Sequence, residues 1–139
     1  MRQLSDITCN QTPLSMPLTE TVESACGKMA ELGTGSVLVT DPQGHLVGIF
    51  TGRDAVTRVL AADKRASSTK LAEVMTPRPV TMSPERTAID ALRLMWDGGF
   101  RHVPLVEEGR IVGVVSRGDF KGDEHAWLDE ERELWEHIR

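Results

Sequence analysis

The stretch GIFTGRD at Gly48–Asp54 returns as GVVSRGD at Gly113–Asp119. Each is a glycine, two apolar residues, a hydroxyl residue, two variable residues and an aspartate. The flanks show that this is a duplicated unit rather than a stray motif. A shift of 66 residues lays Met16 on Met82, Ala25 on Ala91, Met29 on Met95, Gly33 on Gly99 and Val37 on Val103. The loop TDPQG (Thr40–Gly44) is one residue longer than its counterpart around EEG (Glu107–Gly109). Beyond it the offset becomes 65, and HLVGIFTGRD falls on RIVGVVSRGD. The reading is a first repeat over 1–63, a linker KRASSTK within 64–70, a second repeat over 71–122 and a C-terminal acidic amphipathic helix over 123–139.

Local signals give both repeats the same element order. Val22, Ala25, Cys26, Met29 and Ala30 form an apolar stripe at helical spacing, as do Ala88, Ile89, Ala91, Leu92, Met95 and Trp96. Gly33 and the pair Gly98-Gly99 are stop signals, and Ser83 followed by Pro84 reads as a helix start. Two β-branched runs follow each helix, SVLVT with HLVGIFT and HVPLV with RIVGVVS, joined by short turns. A second helix is expected at Asp54–Ala62. After Asp119 its counterpart reads as interrupted by Gly122. The expected fold class is α+β: two β-α-β-β-α units, each too small to bury a comfortable core alone, packed as a pseudo-twofold pair with clefts between the halves.

Two readings of the repeated motif stand side by side. Thr51 with Asp54, and Ser116 with Asp119, match a helix-capping pattern. The same strand-to-helix turn also directs N–H groups and a positive dipole end outward, which suits a phosphate. A carboxylate one turn on can accept hydrogen bonds from vicinal ribose hydroxyls.

The duplicated unit, the two motifs, EVMTPRPVTM (Glu73–Met82) and FRHVPLV (Phe100–Val106) together resemble a tandem CBS domain pair, over roughly residues 5–122. That resemblance implies a stand-alone regulatory module that binds AMP, ADP, ATP or S-adenosylmethionine in clefts between the paired repeats. It also implies a homodimer, and signalling to a protein partner in trans. By the same resemblance Asp54 and Asp119 hold ribose, while Thr51 and Ser116 lie near ribose or phosphate. The base enters beside Leu14–Met16 and Val37–Leu38 in one half, and beside Val80–Met82 and Val103–Pro104 in the other. This makes Met16, Val37, Thr81, Met82 and Pro104 binding positions. Arg101 and His102 stand where some members contact phosphate. The first repeat has Gly35 and Ser36 there, and Leu38 in place of Pro104. The second reading from another class is a ligand-free dimerisation or interaction scaffold.

Charge narrows the partners. Residues 1–122 hold 14 basic and 14 acidic side chains, and the formal charge of −5 comes from the last 17 residues. A neutral body with an acidic tail argues against nucleic acid. No apolar run is long enough to span a bilayer, and MRQLSDITCN lacks a secretory signal pattern. The expectation is a cytoplasmic, non-membrane protein. Cys9 and Cys26 offer neither a disulfide framework nor metal spacing. No nucleophile–base pair or phosphate-cradling glycine loop is visible, so the chain reads as a non-enzyme that requires no cofactor or metal. In the tail, Trp127, Leu128, Glu131, Leu134, Trp135 and Ile138 share one helical face. That face either packs on its own module or docks a partner.

Overall fold

The computed structural model describes the backbone of Met1–Ile138 and side chains as far as Glu136, so the Ile138 side chain lies outside the described residues. The chain forms two compact units. One comprises Pro13–Pro79 with Gly109–Ile111. The other comprises Met1–Thr12, Val80–Glu108 and the chain from Val112 on.

The Pro13–Pro79 unit carries a four-stranded sheet of order β1-β2-β3-β4, made of β1 Ser15–Pro17, β2 Ser36–Thr40, β3 Leu46–Thr51 and β4 Thr76–Pro77. β1 runs parallel to β2, and β2, β3 and β4 alternate in direction. Helix α2 (Val22–Leu32) starts at Thr21, whose hydroxyl accepts the Ser24 N–H at 3.1 Å, and stops at Gly33 in the left-handed region. Val22, Ala25 and Met29 of its stripe are buried and Cys26 is half-buried, while Ala30 is exposed. Burial also pushes the Cys26 thiol pKa upward. Phe50, Val37, Val39 and Leu71 complete the core of this unit.

The other unit repeats the plan. α5 (Ala88–Gly98) lies before the hairpin β5 (His102–Glu107) and β6 (Arg110–Ser116). Glu108 and Gly109 have φ of 51° and 77°, the geometry of a tight two-residue turn. Met82 bridges Leu105 in parallel, as Met16 pairs with Val39 in the first unit. Leu92, Met95, Val103, Leu105 and Val115 form the core.

α5 does not begin at Ser83. Its cap is Thr87, which accepts the Asp90 N–H at 3.2 Å while the Asp90 carboxylate accepts the Thr87 N–H at 3.2 Å. Burial pushes the Asp90 pKa up, but hydrogen bonds from Arg86 and Thr87 outweigh it and leave it lowered. Residues 83–86 form a turn whose carbonyls are needed elsewhere: those of Pro84 and Arg86 accept the N–H groups of Ser5 and Leu4 at 2.8 Å each. Trp96 leaves its expected apolar stripe and is 48% exposed, and the guanidinium groups of Arg132 and Arg117 lie 4.6 and 5.4 Å from its ring.

Each unit includes a short leading helix, α1 (Leu4–Thr8) or α4 (Leu71–Val74), that begins the opposite sequence repeat. The segments after these helices explain the motif glycines. A Cβ on Gly48 would lie 2.3 Å from the Met75 sulfur, and one on Gly113 would lie 2.9 Å from Thr8 Cβ. β4 pairs with β3 at Gly48 and Ile49. In the other unit the Gln11 side-chain carbonyl accepts the Val114 N–H at 2.6 Å.

After the motifs the units diverge. Thr51 leads into α3 (Gly52–Asp54) and a π-helical segment at Ala55–Leu60, in the region expected to be helical. Ser116 leads into a single 3-10 turn at Arg117–Asp119, followed by α6 (Gly122–Ile138), so Gly122 opens a long helix rather than interrupting one. Leu128 of α6 packs into the core, whereas Trp127, Leu134 and Trp135 are 58–61% exposed. Glu131, the acidic member of that face, receives Arg93 of α5 at 2.7 Å. Among the described residues no helix is long and apolar enough to cross a membrane.

Candidate functional site

Each motif closes a turn at the end of a strand. In the first unit, the backbone N–H and the hydroxyl of Thr51 both donate to Asp54 Oδ2, at 3.0 and 3.1 Å. The Asp54 N–H donates to the Thr51 hydroxyl at 3.3 Å. Arg58 lies 3.5 Å from Asp54 Oδ1 and also donates to the Met75 carbonyl at 3.1 Å. Asp54 is buried. With donors at both oxygens its carboxylate is largely satisfied by its own chain.

In the second unit, the Ser116 N–H and hydroxyl donate to Asp119 Oδ2 at 2.7 and 3.2 Å. Asp119 is exposed, and both of these bonds fall on the one oxygen, Oδ2. Its backbone carbonyl accepts Arg2 Nη2 at 3.2 Å, and Arg2 also forms a 2.6 Å ion pair with Glu124 at the start of α6. The hydrogen bond from Arg2 holds Glu124 below the usual carboxylate range against the opposing effect of burial.

In both turns the N–H after the hydroxyl residue is already used. Gly52 donates to the Gly35 carbonyl at 3.1 Å, and Arg117 to the Arg101 carbonyl at 2.9 Å. The anion-binding capacity expected of a free helix start is thereby reduced.

The other expected site residues fall into two local sets. Beside the Thr51 turn, Ser36 pairs with Thr51 and Val37 follows it on β2, while Met16 lies on β1. The Met16 and Val37 side chains belong to the core, so what they can present to a ligand is backbone. Beside the Ser116 turn, Met82 donates its N–H to the Pro104 carbonyl at 3.1 Å, and Thr81 precedes it, exposed. Arg101 is exposed and His102 is half-buried at the start of β5.

Sequence reasoning did not include Arg58, Arg2 or Gln11. Arg58 had a readable signal, since it stands four residues after Asp54 on one helical face. Arg2 and Gln11 act across 117 and 103 residues, and nothing local marks them.

A groove of about 350 Å³ lies away from both turns, lined by Arg93, Asp97, Leu128, Glu131, Arg132 and Trp135 among others. Its polar lining is internally paired, Arg93 with Glu131 at 2.7 Å and Arg132 with Asp97 at 3.7 Å. Among the described residues no His, Cys, Asp and Glu group is arranged to hold a metal ion.

The CBS domain model matches residues 4–61 and 71–122. The CBS domain-containing protein CBSCBSPB1 of Arabidopsis thaliana is 36% identical over 102 residues, which are 73% of this chain and 19% of that protein, so the chain spans under a fifth of that relative. The CBS domain protein PAE2072 of Pyrobaculum aerophilum, solved in complex with AMP, superposes with a TM-score of 0.82 at 22% identity, over 93% of this chain and 99% of that one. The CBS domain pair of protein MJ0100, solved with 5′-methylthioadenosine and S-adenosyl-L-methionine, gives a TM-score of 0.76 at 24% identity, over 85% and 95% of the two chains. Two matched segments, each containing one of the hydroxyl–aspartate turns, place this chain in the CBS domain family as a tandem pair.

Proposed function

We propose that the chain is a regulatory module, without catalysis of its own, that binds an adenosine compound and reports it to a protein partner in trans. The observation that carries this reading is the hydroxyl–aspartate turn at the end of β6. There Asp119 is exposed and both Ser116 hydrogen bonds fall on Oδ2, which leaves Oδ1 as the oxygen to offer a ligand, while the exposed Arg101 joins the same turn through its carbonyl. Ribose hydroxyls can donate to that oxygen, and a phosphate can draw on Arg101 and His102. Met82 and Pro104 would flank the base, with Thr81 next to them. Solved CBS proteins of the same fold hold AMP or S-adenosylmethionine, and ADP and ATP share the ribose and base those ligands present. Ligand would shift the module between states only through different affinity for them. A homodimer completes the reading.

A thermal-shift titration with AMP, ADP, ATP, S-adenosylmethionine and GTP tests it, because a ligand of the folded state raises the midpoint as its concentration exceeds Kd. A saturable shift with adenosine compounds, absent with GTP and lost in Asp119→Ala, is expected. No shift with any of the five overturns it.

One observation favours the second reading, a ligand-free scaffold: at the Thr51 turn both Asp54 oxygens are already engaged by its own chain. For that turn we propose a capping role first, with Thr51 and Asp54 as the weaker of the two ligand sites.

A further inference from the structure

The chain leaves its two motif aspartates differently. Asp54 has helical backbone, φ −63° and ψ −38°, and runs on into the helical segment Ala55–Leu60. Phe120 is extended, φ −92° and ψ 148°, so the chain quits the helical path directly after Asp119. A helix that continues offers N–H donors to the carbonyls behind it, and a single turn that stops does not. At Asp119 the donor comes from 117 residues earlier: Arg2 Nη2 reaches the Asp119 carbonyl at 3.2 Å. Arg2 is itself held. Its Nε and Nη2 donate to Glu124 Oε2 and Oε1 at 3.2 and 2.6 Å, and Glu124 Oε1 also accepts the Lys121 N–H at 2.8 Å. Glu124 is buried. The Arg2 backbone carbonyl accepts the N–H of Ala88, the first residue of α5, at 2.9 Å. One residue thus joins the start of α5, the start of α6 and the backbone of Asp119.

We propose that Arg2 is a positioning residue of the Asp119 site: by anchoring the Asp119 backbone to Glu124 it fixes where the Asp119 carboxylate stands, and so sets how well that carboxylate receives ribose hydroxyls. The inference rests on the adenosine reading above and adds to it a residue that acts through Asp119 rather than on the ligand. A carboxylate already held in place loses less freedom when it accepts hydrogen bonds, so fixing it raises affinity without a new contact. The planar fork of Arg suits this task, since it grips both Glu124 oxygens while one nitrogen still reaches the Asp119 carbonyl. A Lys ammonium is a point charge and does not reproduce that geometry.

The test is calorimetric titration of the full chain with AMP and with 2′,3′-dideoxy-AMP, which lacks both ribose hydroxyls. Arg2→Ala should bind AMP about tenfold more weakly, the scale of coupling within one hydrogen-bonded network. Arg2→Lys, which keeps the charge, should recover only part of that loss. Neither variant should change affinity for the dideoxy compound, and Arg2→Ala should add no further loss in an Asp119→Ala background. Arg93→Ala breaks another ion pair of the same unit and should lower the melting temperature while leaving AMP affinity unchanged. Arg2→Ala binding AMP as the parent does overturns the inference alone. So does an equal loss for AMP and the dideoxy compound, or a matching loss in Arg93→Ala, because either makes the effect of Arg2 a general loosening of the unit. A parent chain that does not distinguish the two compounds, or binds neither, removes the ribose role of Asp119 and overturns that part of the reading together with this inference.

Discussion

The two turns share one pattern and are secured by different parts of the chain. At the first, Asp54 is 8% exposed and Arg58, four residues on, reaches its remaining oxygen. At the second, Asp119 faces solvent, and the supporting cation is Arg2, which takes the backbone carbonyl and leaves the carboxylate alone. Duplication therefore supplied the same hydroxyl–carboxylate pair twice, with the Asp54 N–H also bonded to its cap hydroxyl, and the surroundings made one copy a closed structural turn and the other an open one. The glycine that begins each motif shows a similar split. At Gly48 the nearest neighbour is a flexible methionine thioether, with the Thr76 carbonyl behind it at 3.1 Å, and at Gly113 it is the Cβ of Thr8, fixed close to its backbone.

The largest expected effect tests that split directly. Gly113→Ala should destabilise the chain by about 2–3 kcal/mol and Gly48→Ala by about 1–2 kcal/mol, because overpacking costs most where the neighbour cannot yield. Urea unfolding of the two variants gives both values, and equal losses would break the comparison.

Next is the Arg2–Glu124 ion pair beside the second turn. Glu124→Gln should cost about 1–2 kcal/mol at neutral pH, the scale of a charged hydrogen bond. The folded-state pKa of Glu124 is depressed. Its contribution is thus complete above the ordinary value of 4.5 and disappears as pH falls through the lower folded value. Unfolding followed into acid should show a loss in the parent chain that is smaller in Glu124→Gln, where the depressed Asp90 still contributes. An undiminished loss in the variant would assign the whole effect to other carboxylates.

The third prediction sharpens the functional half of the contrast. Asp54→Ala should cost about 1 kcal/mol of stability and Asp119→Ala about half that, in keeping with the value of a helix cap. Response to an adenosine ligand should follow the opposite order, with Asp119→Ala losing more. Calorimetric titration of both variants decides this, and a greater ligand loss in Asp54→Ala would move the site to the first turn.

The smallest effect lies where the repeats place unlike residues at one position. Gly27 of α2 aligns with Arg93 of α5, which holds Glu131. Nothing lies within 4 Å of a Cβ added at Gly27. Gly27→Ala should therefore stabilise by about 0.5–1 kcal/mol through helix propensity alone, read as a raised melting temperature. Arg93→Ala should destabilise by freeing Glu131.

The sequence by itself determined the duplication, the order of helix and strand pairs, the α+β class and the family, because each rests on local periodicity or on a motif short enough to read directly. Gly33 and Gly99 as helix stops, and Thr51 with Asp54 as a cap, needed only neighbouring residues. Tertiary structure alone decided which compact unit each leading helix joins, since Leu4–Thr8 and Leu71–Val74 carry the same apolar signal wherever they pack. It moved the start of α5 from Ser83 to Thr87 by recruiting the carbonyls of Pro84 and Arg86 for a helix more than 75 residues earlier. It also decided that Asp119 stays open where Asp54 is closed. The partners beside each turn are an ion pair from Arg58 in one case and a hydrogen bond from Arg2 in the other, and a partner 117 residues distant leaves no mark on the stretch it supports.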